Sequence, residues 1–405
     1  MDYRKTIRLY YDYVVPCYNK TPLVLERGRG TRLWDVHGNE YLDFFPGWAV
    51  SGIGHCHRRV TEAIKRQADQ LIHVSNNYYH DQQGLLAEQV IRHSFPGKVF
   101  FCNSGAEANE AAFKLVRKYG NPQKNEIITM DRSFHGRTLA AVTATGQAKY
   151  HEGFEPLPEG FKTVPFNDFE ALEKALTPKT AAIMLEPIQG EGGIRVANQA
   201  YLSQVRRLCS DKNILLIFDE VQTGMGRTGR MFAYKNFGIE PDIMTLAKSL
   251  GGGFPIGAMV VKKEYADILQ PGMHATTFGG SPLACAAALA VFEAIEKEKL
   301  LSNTVIQSSH LFKRLNELKR KHPMIREVRG MGLMVGVELT IDGKSIYEEC
   351  LKQRLLINCT QTNVLRLMPP LIVKDKEIDR AVQILDEVMT AEEAKHLAKE
   401  GSRVA

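Results

Sequence analysis

Short, uninterrupted apolar runs punctuate the middle of the chain: Val99–Cys102, Ile127–Met130, Ala181–Leu185, Ile214–Phe218, Ile243–Leu246 and Ala258–Val261. Each has strand length and no alternation, the pattern of strands buried on both faces of a helix-covered sheet. Helical periodicity fills several of the gaps. Ala106–Tyr119 is alanine-rich, with Ala112, Leu115, Val116 and Tyr119 on one face, and Tyr201–Asp211 aligns Leu202, Val205, Leu208 and Cys209. Strand–helix alternation predicts an α/β domain with a mostly parallel sheet from roughly residue 50 to 285. After Leu283 the pattern changes. A long helix to about Lys299 and a charged one to Lys321 precede strand-like pieces at Gly332–Leu339, Leu355–Asn358 and Val364–Leu367, and a last helix begins near Lys376. This reads as a second, α+β domain. The first 45 residues hold a hairpin-like piece, Arg32–Leu42, with turn residues Asp35 to Asn39; it could pack with either domain. The polar tail Lys395–Ala405 is expected to fray.

Composition narrows the class. At 405 residues, 44% apolar and 24% charged, the chain is globular rather than disordered, collagen-like or coiled-coil. A net charge of +6 is too small over this length to imply nucleic acid and suits small anionic ligands. The odd, scattered set of seven cysteines describes no disulfide framework and points to reduced thiols. The longest apolar run, Leu283 to Phe292, is half of the roughly 20 residues a membrane span needs. The start shows no apolar leader segment. The expectation is a cytoplasmic protein without a membrane partner.

Three features carry chemistry. Asp219-Glu220-Val221-Gln222 follows the buried run Ile214–Phe218, at the strand edge where open α/β sheets bind ligands; a turn-capping Asp219 is the plain alternative. Lys248 follows another buried run and precedes Gly251-Gly252-Gly253. Desolvation there would favour its neutral amine, which can attack an aldehyde, although an isolated lysine at a strand end is usually a surface residue. Asn103-Ser104-Gly105-Ala106-Glu107 joins a strand to a helix start, where free N–H groups suit a phosphate. Ser104 and Glu107 also fit a capping box, and the two readings can coexist.

Two other motifs are decoys. Gly224-Met225-Gly226-Arg227-Thr228-Gly229 has dinucleotide-fingerprint spacing, but five residues separate it from Phe218 and no helical period follows. His55-Cys56-His57 lacks a second ligand cluster for a metal, and no metal site is expected. A phosphate cradle, a carboxylate and an amine that can become neutral are together what pyridoxal 5′-phosphate requires.

The chain resembles the class III, fold-type I pyridoxal-phosphate aminotransferases over nearly its whole length. The resemblance is carried by Leu33-Trp34-Asp35, Gly54-His55-Cys56-His57, Asn103–Glu110, Phe134-His135-Gly136-Arg137-Thr138, Glu186-Pro187, Gly190-Glu191-Gly192-Gly193, Asp219–Gly229, Lys248–Gly257, Phe278-Gly279-Gly280 and Arg366-Leu367-Met368-Pro369-Pro370. It implies a large cofactor-binding domain (50–285) with a mostly parallel mixed sheet and a smaller α+β domain formed by 1–49 and 286–405. It implies Lys248 as the Schiff-base lysine and proton shuttle, and Asp219 as partner of the pyridine nitrogen. Gly105, Ala106, Phe134, Glu220, Val221 and Gln222 are implied cofactor contacts. Thr277 is implied to reach the phosphate of a neighbouring subunit, in a homodimer with shared sites. Arg137, Glu191, Thr276 and Arg366 are implied substrate residues, with Arg137 and Arg366 binding carboxylates and Glu191 masking Arg366.

His135, where ornithine-specific members carry Trp, directs the expectation to the acetylornithine branch: transfer of the δ-amino group of N2-acetylornithine to 2-oxoglutarate, as in arginine biosynthesis. The alternatives are transfer from ornithine, succinylornithine or another ω-amino acid, then a glutamate-1-semialdehyde aminomutase, then a non-enzymatic binding protein on the same scaffold. Two departures from the family pattern are Ser281 in place of a usual Asn, and the bulky Phe45-Pro46-Gly47-Trp48 stretch, which puts the substrate side chain in question.

Overall fold

A computed structural model describes residues 2–404, with side chains through Lys395. Its centre is a seven-stranded sheet of β1 (Gly97–Cys102), β2 (Glu126–Met130), β3 (Phe161–Val164), β4 (Thr180–Leu185), β5 (Leu215–Asp219), β6 (Ile243–Leu246) and β7 (Gly257–Lys262), in the order β1-β7-β6-β5-β4-β2-β3. All neighbours pair parallel except β7, which runs antiparallel to both β6 and β1. The loop from β6 to β7 is too short for the crossover that a parallel return needs, of about a dozen residues or more.

Successive residues of these strands feed two separate cores, as a pleat requires. Ile128, Ile183, Leu216, Phe218 and Leu246 face one apolar cluster, while Ile127, Met184, Leu215, Ile217 and Ile243 face the other. The continuous apolar runs are therefore strands covered by helices on both sides. The helix Gly105–Gly120 shows how such a cover forms. Ser104 accepts the Glu107 amide at 3.2 Å to cap it, alanines fill its buried face, and Arg117 and Lys118 sit at the negative end of its dipole.

A second, four-stranded antiparallel sheet is built from Ile325–Met331, Met334–Leu339, Val364–Leu367 and Asn358–Thr360. The N-terminal strands Leu25–Arg29, Arg32–Asp35 and Glu40–Asp43 form a meander, and Leu355–Leu356 adds parallel to the last of them. Thus the first residues share a sheet with the C-terminal part. The final helix runs Asp375–Val404, through the segment expected to fray; side chains beyond Lys395 lie outside the described residues. Before the first strand, the helix Tyr3–Tyr13 buries none of its residues in this chain.

Candidate active site

Five strand ends meet at one edge of the central sheet and line a cavity of about 400 Å³. β5 ends on Asp219, which is 3% exposed. Three donors hold its carboxylate: Asn109 Nδ2 at 2.9 Å and His135 Nδ1 at 2.8 Å on Oδ2, and the Val221 amide at 3.0 Å on Oδ1. His135 therefore carries its proton on Nδ1, because a carboxylate only accepts. Asn109 also donates to the His135 carbonyl at 2.7 Å, so the helix Gly105–Gly120 and the loop after β2 close on Asp219 together.

β6 leads to Lys248, whose backbone is left-handed at φ 44°. Such a conformation costs a non-glycine residue about 1 kcal/mol or more, so the surrounding fold imposes the direction of this side chain. The Lys248 amine makes no hydrogen bond or ion pair among the described residues. Burial pushes its amine below the ordinary lysine value, against the opposing pull of Glu191, Asp219 and Glu186. β4 leads to Glu186, a lining carboxyl that accepts the Phe134 amide at 3.3 Å. Burial and the neighbouring Asp219 raise it well above the ordinary range.

β1 leads to Ser104 and to the lining backbone of Gly105 and Ala106, at the positive end of a 16-residue helix. Glu107 completes the cap by accepting the Asn103 amide at 2.8 Å, one residue earlier than a standard capping box. A Cβ on Gly105 would lie 2.8 and 2.9 Å from the two methyls of Val221. Only glycine lets the helix start approach the cavity this closely.

Glu191 lines the cavity, and Arg366, 1% exposed, lies behind it. Arg366 Nη1 donates to Glu191 Oε1 at 2.6 Å and Nε to Asn358 Oδ1 at 2.8 Å, with the guanidinium 4.8 Å from the Phe45 ring. Burial raises the Glu191 carboxyl, but Arg366 and Lys248 outweigh it and the net shift is downward. Arg137 stands exposed at the rim of the cavity and has no carboxylate within ion-pair distance among the described residues. Phe134 and Gln222 also line the space.

The structure thus brings together Gly105, Ala106, Phe134, Arg137, Glu191, Asp219, Val221, Gln222 and Lys248 around one cavity, with Arg366 one layer behind. Glu220 is a correction. Its carboxylate turns away to accept the Ala233 and Tyr234 amides at 2.6 and 2.8 Å and the Thr223 hydroxyl at 3.2 Å. Adjacent residues at a strand end point to opposite sides, so Asp219 and Glu220 cannot both face the cofactor. Thr276 also stays off the lining; its hydroxyl accepts Asn103 Nδ2 at 3.1 Å and the Gly279 amide at 3.3 Å, bracing the loop before the helix. Thr277 is exposed, away from the cavity of its own chain.

Sequence reasoning gave Asn109, His135 and Glu186 no role at Asp219 or Lys248. A polar Asn on the buried face of an alanine-rich helix was the available signal for the first. Among the motifs set aside, His55 pairs with Asp43 at 2.7 Å and His57 with Glu298 at 3.2 Å, so the two turn to different acids. Gly224–Gly229 is a turn that buries Arg227, which donates to the Leu333 carbonyl at 3.1 Å and to the Pro369 carbonyl at 2.5 Å.

These residues fit pyridoxal 5′-phosphate. The site offers an unpaired amine, a buried carboxylate held by three donors, and helix-start amides: partners for an aldehyde, a pyridine nitrogen and a phosphate. Gln222 Oε1 is buried without a partner and belongs to a lining residue.

The family model for class-III aminotransferases matches residues 13–389. The acetylornithine aminotransferase of Methanocaldococcus jannaschii is 54% identical over 395 residues, covering 96% of this chain and 99% of the relative. That of Caldanaerobacter subterraneus is 52% identical over 383 residues, covering 93% and 97%. The crystal structure of ornithine aminotransferase from Toxoplasma gondii superposes with a TM-score of 0.93 at 35% identity, covering 98% of this chain and 96% of the other. That of acetylornithine aminotransferase from Elizabethkingia anophelis gives 0.85 at 32%, covering 96% and 100%. With the fold, the cavity and these likenesses in agreement, the chain belongs to the class III aminotransferases, which are enzymes dependent on pyridoxal 5′-phosphate.

Proposed function

We propose that this enzyme moves the δ-amino group of N2-acetylornithine to 2-oxoglutarate, giving N-acetylglutamate 5-semialdehyde and glutamate. The observation that carries the reading is a pair of carboxylate stations of different availability: Arg137 free at the rim, Arg366 covered by Glu191. N2-acetylornithine has one carboxylate, far from its reacting amine, and suits Arg137 while Glu191 keeps Arg366 occupied. 2-Oxoglutarate has two carboxylates; when Glu191 swings aside, both guanidinium groups can engage it, each bidentately. The acetylornithine aminotransferases more than 50% identical to this chain support the same choice.

Bound pyridoxal 5′-phosphate supplies an aldehyde and an electron-withdrawing ring. Lys248 would hold its aldehyde carbon, Asp219 its ring nitrogen, Val221 and Phe134 its faces, Gln222 its ring oxygen, and the Gly105 and Ala106 amides its phosphate. Asn109, His135 and the Val221 amide hold the Asp219 carboxylate in place as the partner of the ring nitrogen. Lys248 Nζ, once freed by the substrate amine, would take the proton from the substrate's δ-carbon, and burial, which lowers its basicity, favours the neutral form this needs.

Thr277, exposed here, is offered to the phosphate of a second copy, so the working unit is a homodimer with shared sites. The N-terminal segment 1–49 and residues 286–405 form the smaller domain beside 50–285, and the enzyme works in the cytoplasm. Among the described residues no helix is long and apolar enough to cross a membrane.

Steady-state assays with N-acetylornithine, ornithine, succinylornithine and 4-aminobutyrate test the reading. N-acetylornithine should give the highest kcat/KM, and Lys248→Ala should abolish turnover. Preference for another donor, or activity surviving in Lys248→Ala, overturns it.

A further inference from the structure

Of the two site arginines, Arg366 is fixed by an acid and Arg137, among the described residues, is not. Arg366 has Glu191 and Asn358; Arg137 has instead an aromatic face. Its guanidinium carbon lies 3.9 Å from the centroid of the Tyr150 ring and 5.5 Å from that of Phe134. The two rings meet edge to face, 5.9 Å apart at 84°.

Tyr150 is itself held. Its amide donates to the Gln147 carbonyl at 3.0 Å, and the next residue, His151, contacts the Val142 and Thr145 carbonyls at 2.8 Å through Nε2. Both carbonyls lie at the end of the short helix Leu139–Ala144, which begins two residues after Arg137. The ring and the arginine are thus tied to one small frame. Lys149 adds a second cation 4.9 Å from the same ring, again with no acid within ion-pair distance among the described residues, and its charge helps to hold the Glu191 carboxyl down.

We propose that Tyr150 is a positioning residue for substrate-carboxylate recognition: its ring is the shelf that holds Arg137 ready for the carboxylate of the amino donor. An exposed arginine loses much rotamer freedom when it fixes a ligand, and a guanidinium already lying on a ring has lost part of it beforehand. The ring takes one face of the guanidinium and leaves its N–H edges free, the geometry a bidentate carboxylate needs. This inference rests on the proposed reading of Arg137 as the carboxylate-binding residue.

The test uses the holoenzyme and two substrates, N-acetylornithine and N-acetylputrescine, which is the same molecule without its carboxylate. Tyr150→Leu should raise KM for N-acetylornithine about tenfold with little change in kcat, the size expected for a cation–π contact at a partly desolvated site. Its kcat/KM for N-acetylputrescine should stay as in wild type. Tyr150→Phe, which keeps the ring face, should restore the N-acetylornithine KM. Equal losses on both substrates would mean that Tyr150 acts only by propping Phe134 or the fold; no loss on either would mean that Arg137 needs no shelf. Both results overturn the inference. Wild-type preference for ornithine over N-acetylornithine would refute the donor assignment alone, and the same comparison with ornithine and putrescine would then decide the role of Tyr150.

Discussion

Asn109 offers a direct test of how the site holds Asp219. It is 1% exposed, and its amide nitrogen serves two acceptors, Asp219 Oδ2 at 2.9 Å and the His135 carbonyl at 2.7 Å. Asn109→Leu keeps the number and branching of the side-chain heavy atoms and leaves no cavity, although its methyls are bulkier than the amide. Losing a hydrogen bond to a buried charge costs about 1.5–3 kcal/mol, and losing the neutral one about 1 kcal/mol. Against this, Asn109 Oδ1 is buried without a partner, and its removal recovers about 1 kcal/mol. The net expectation is a loss of about 1.5–3 kcal/mol.

Because the contact fixes the carboxylate proposed to face the ring nitrogen, part of that loss should appear as weaker cofactor binding. Titrating apoenzyme with pyridoxal 5′-phosphate, followed by absorbance, should give a Kd about tenfold or more above wild type. Thermal melts of the apo and holo forms divide the remainder between fold and site. Cofactor affinity within about twofold of wild type, with an unchanged apo melting temperature, would refute the assignment of Asn109 as the brace of Asp219.

Two further outcomes follow from geometry and charge. Gly105→Ala should push the Val221 methyls toward the cofactor space, because its Cβ would stand 2.8 Å from one of them; cofactor affinity should fall by about 1–3 kcal/mol, read by the same titration, while the apo melting temperature moves little. Glu220 is buried, and burial against three donors raises its carboxyl to about 7. A raised acid binds its proton more tightly in the folded state than in the unfolded, so its contribution is full at pH below the ordinary carboxyl value and is lost as pH rises toward 7. In denaturant titrations Glu220→Gln should therefore flatten the pH dependence of stability in that window by up to about 1.4 kcal/mol per pH unit; an unchanged slope would contradict the shift.

Much of this was readable from the chain alone, for identifiable reasons. Strands buried on both faces leave unbroken apolar runs, so six of the seven central strands stood out. The seventh, Phe161–Val164, is an edge strand with half-exposed Phe161 and Lys162, and its pattern is diluted accordingly. The reversed direction of β7 could have been deduced from the short loop before it, and the outward turn of Glu220 from the alternation of a strand. The pairing of the two side-chain donors with Asp219 could not. Asn109 and His135 reach it across 110 and 84 residues of sequence, and no local spacing encodes a contact made by closing three separate loops. The buried runs singled out Lys248 and Asp219; resemblance supplied their roles and the two arginines, but it named cofactor contacts without distinguishing those that face the ring from those that brace its surroundings.

The turn carrying Glu191 is pinned at its backbone: its carbonyl accepts Thr360 Oγ1 at 3.0 Å and Gln361 Nε2 at 2.8 Å, from the segment that joins the two strands bearing Asn358 and Arg366. Mask and masked arginine are thus mounted on a common support, and the mask cannot withdraw by peeling off its loop. Uncovering Arg366 then reduces to torsions within a single side chain, with no lid to move. An enzyme alternating between two partner molecules on every cycle would reset its recognition surface without rearranging its backbone.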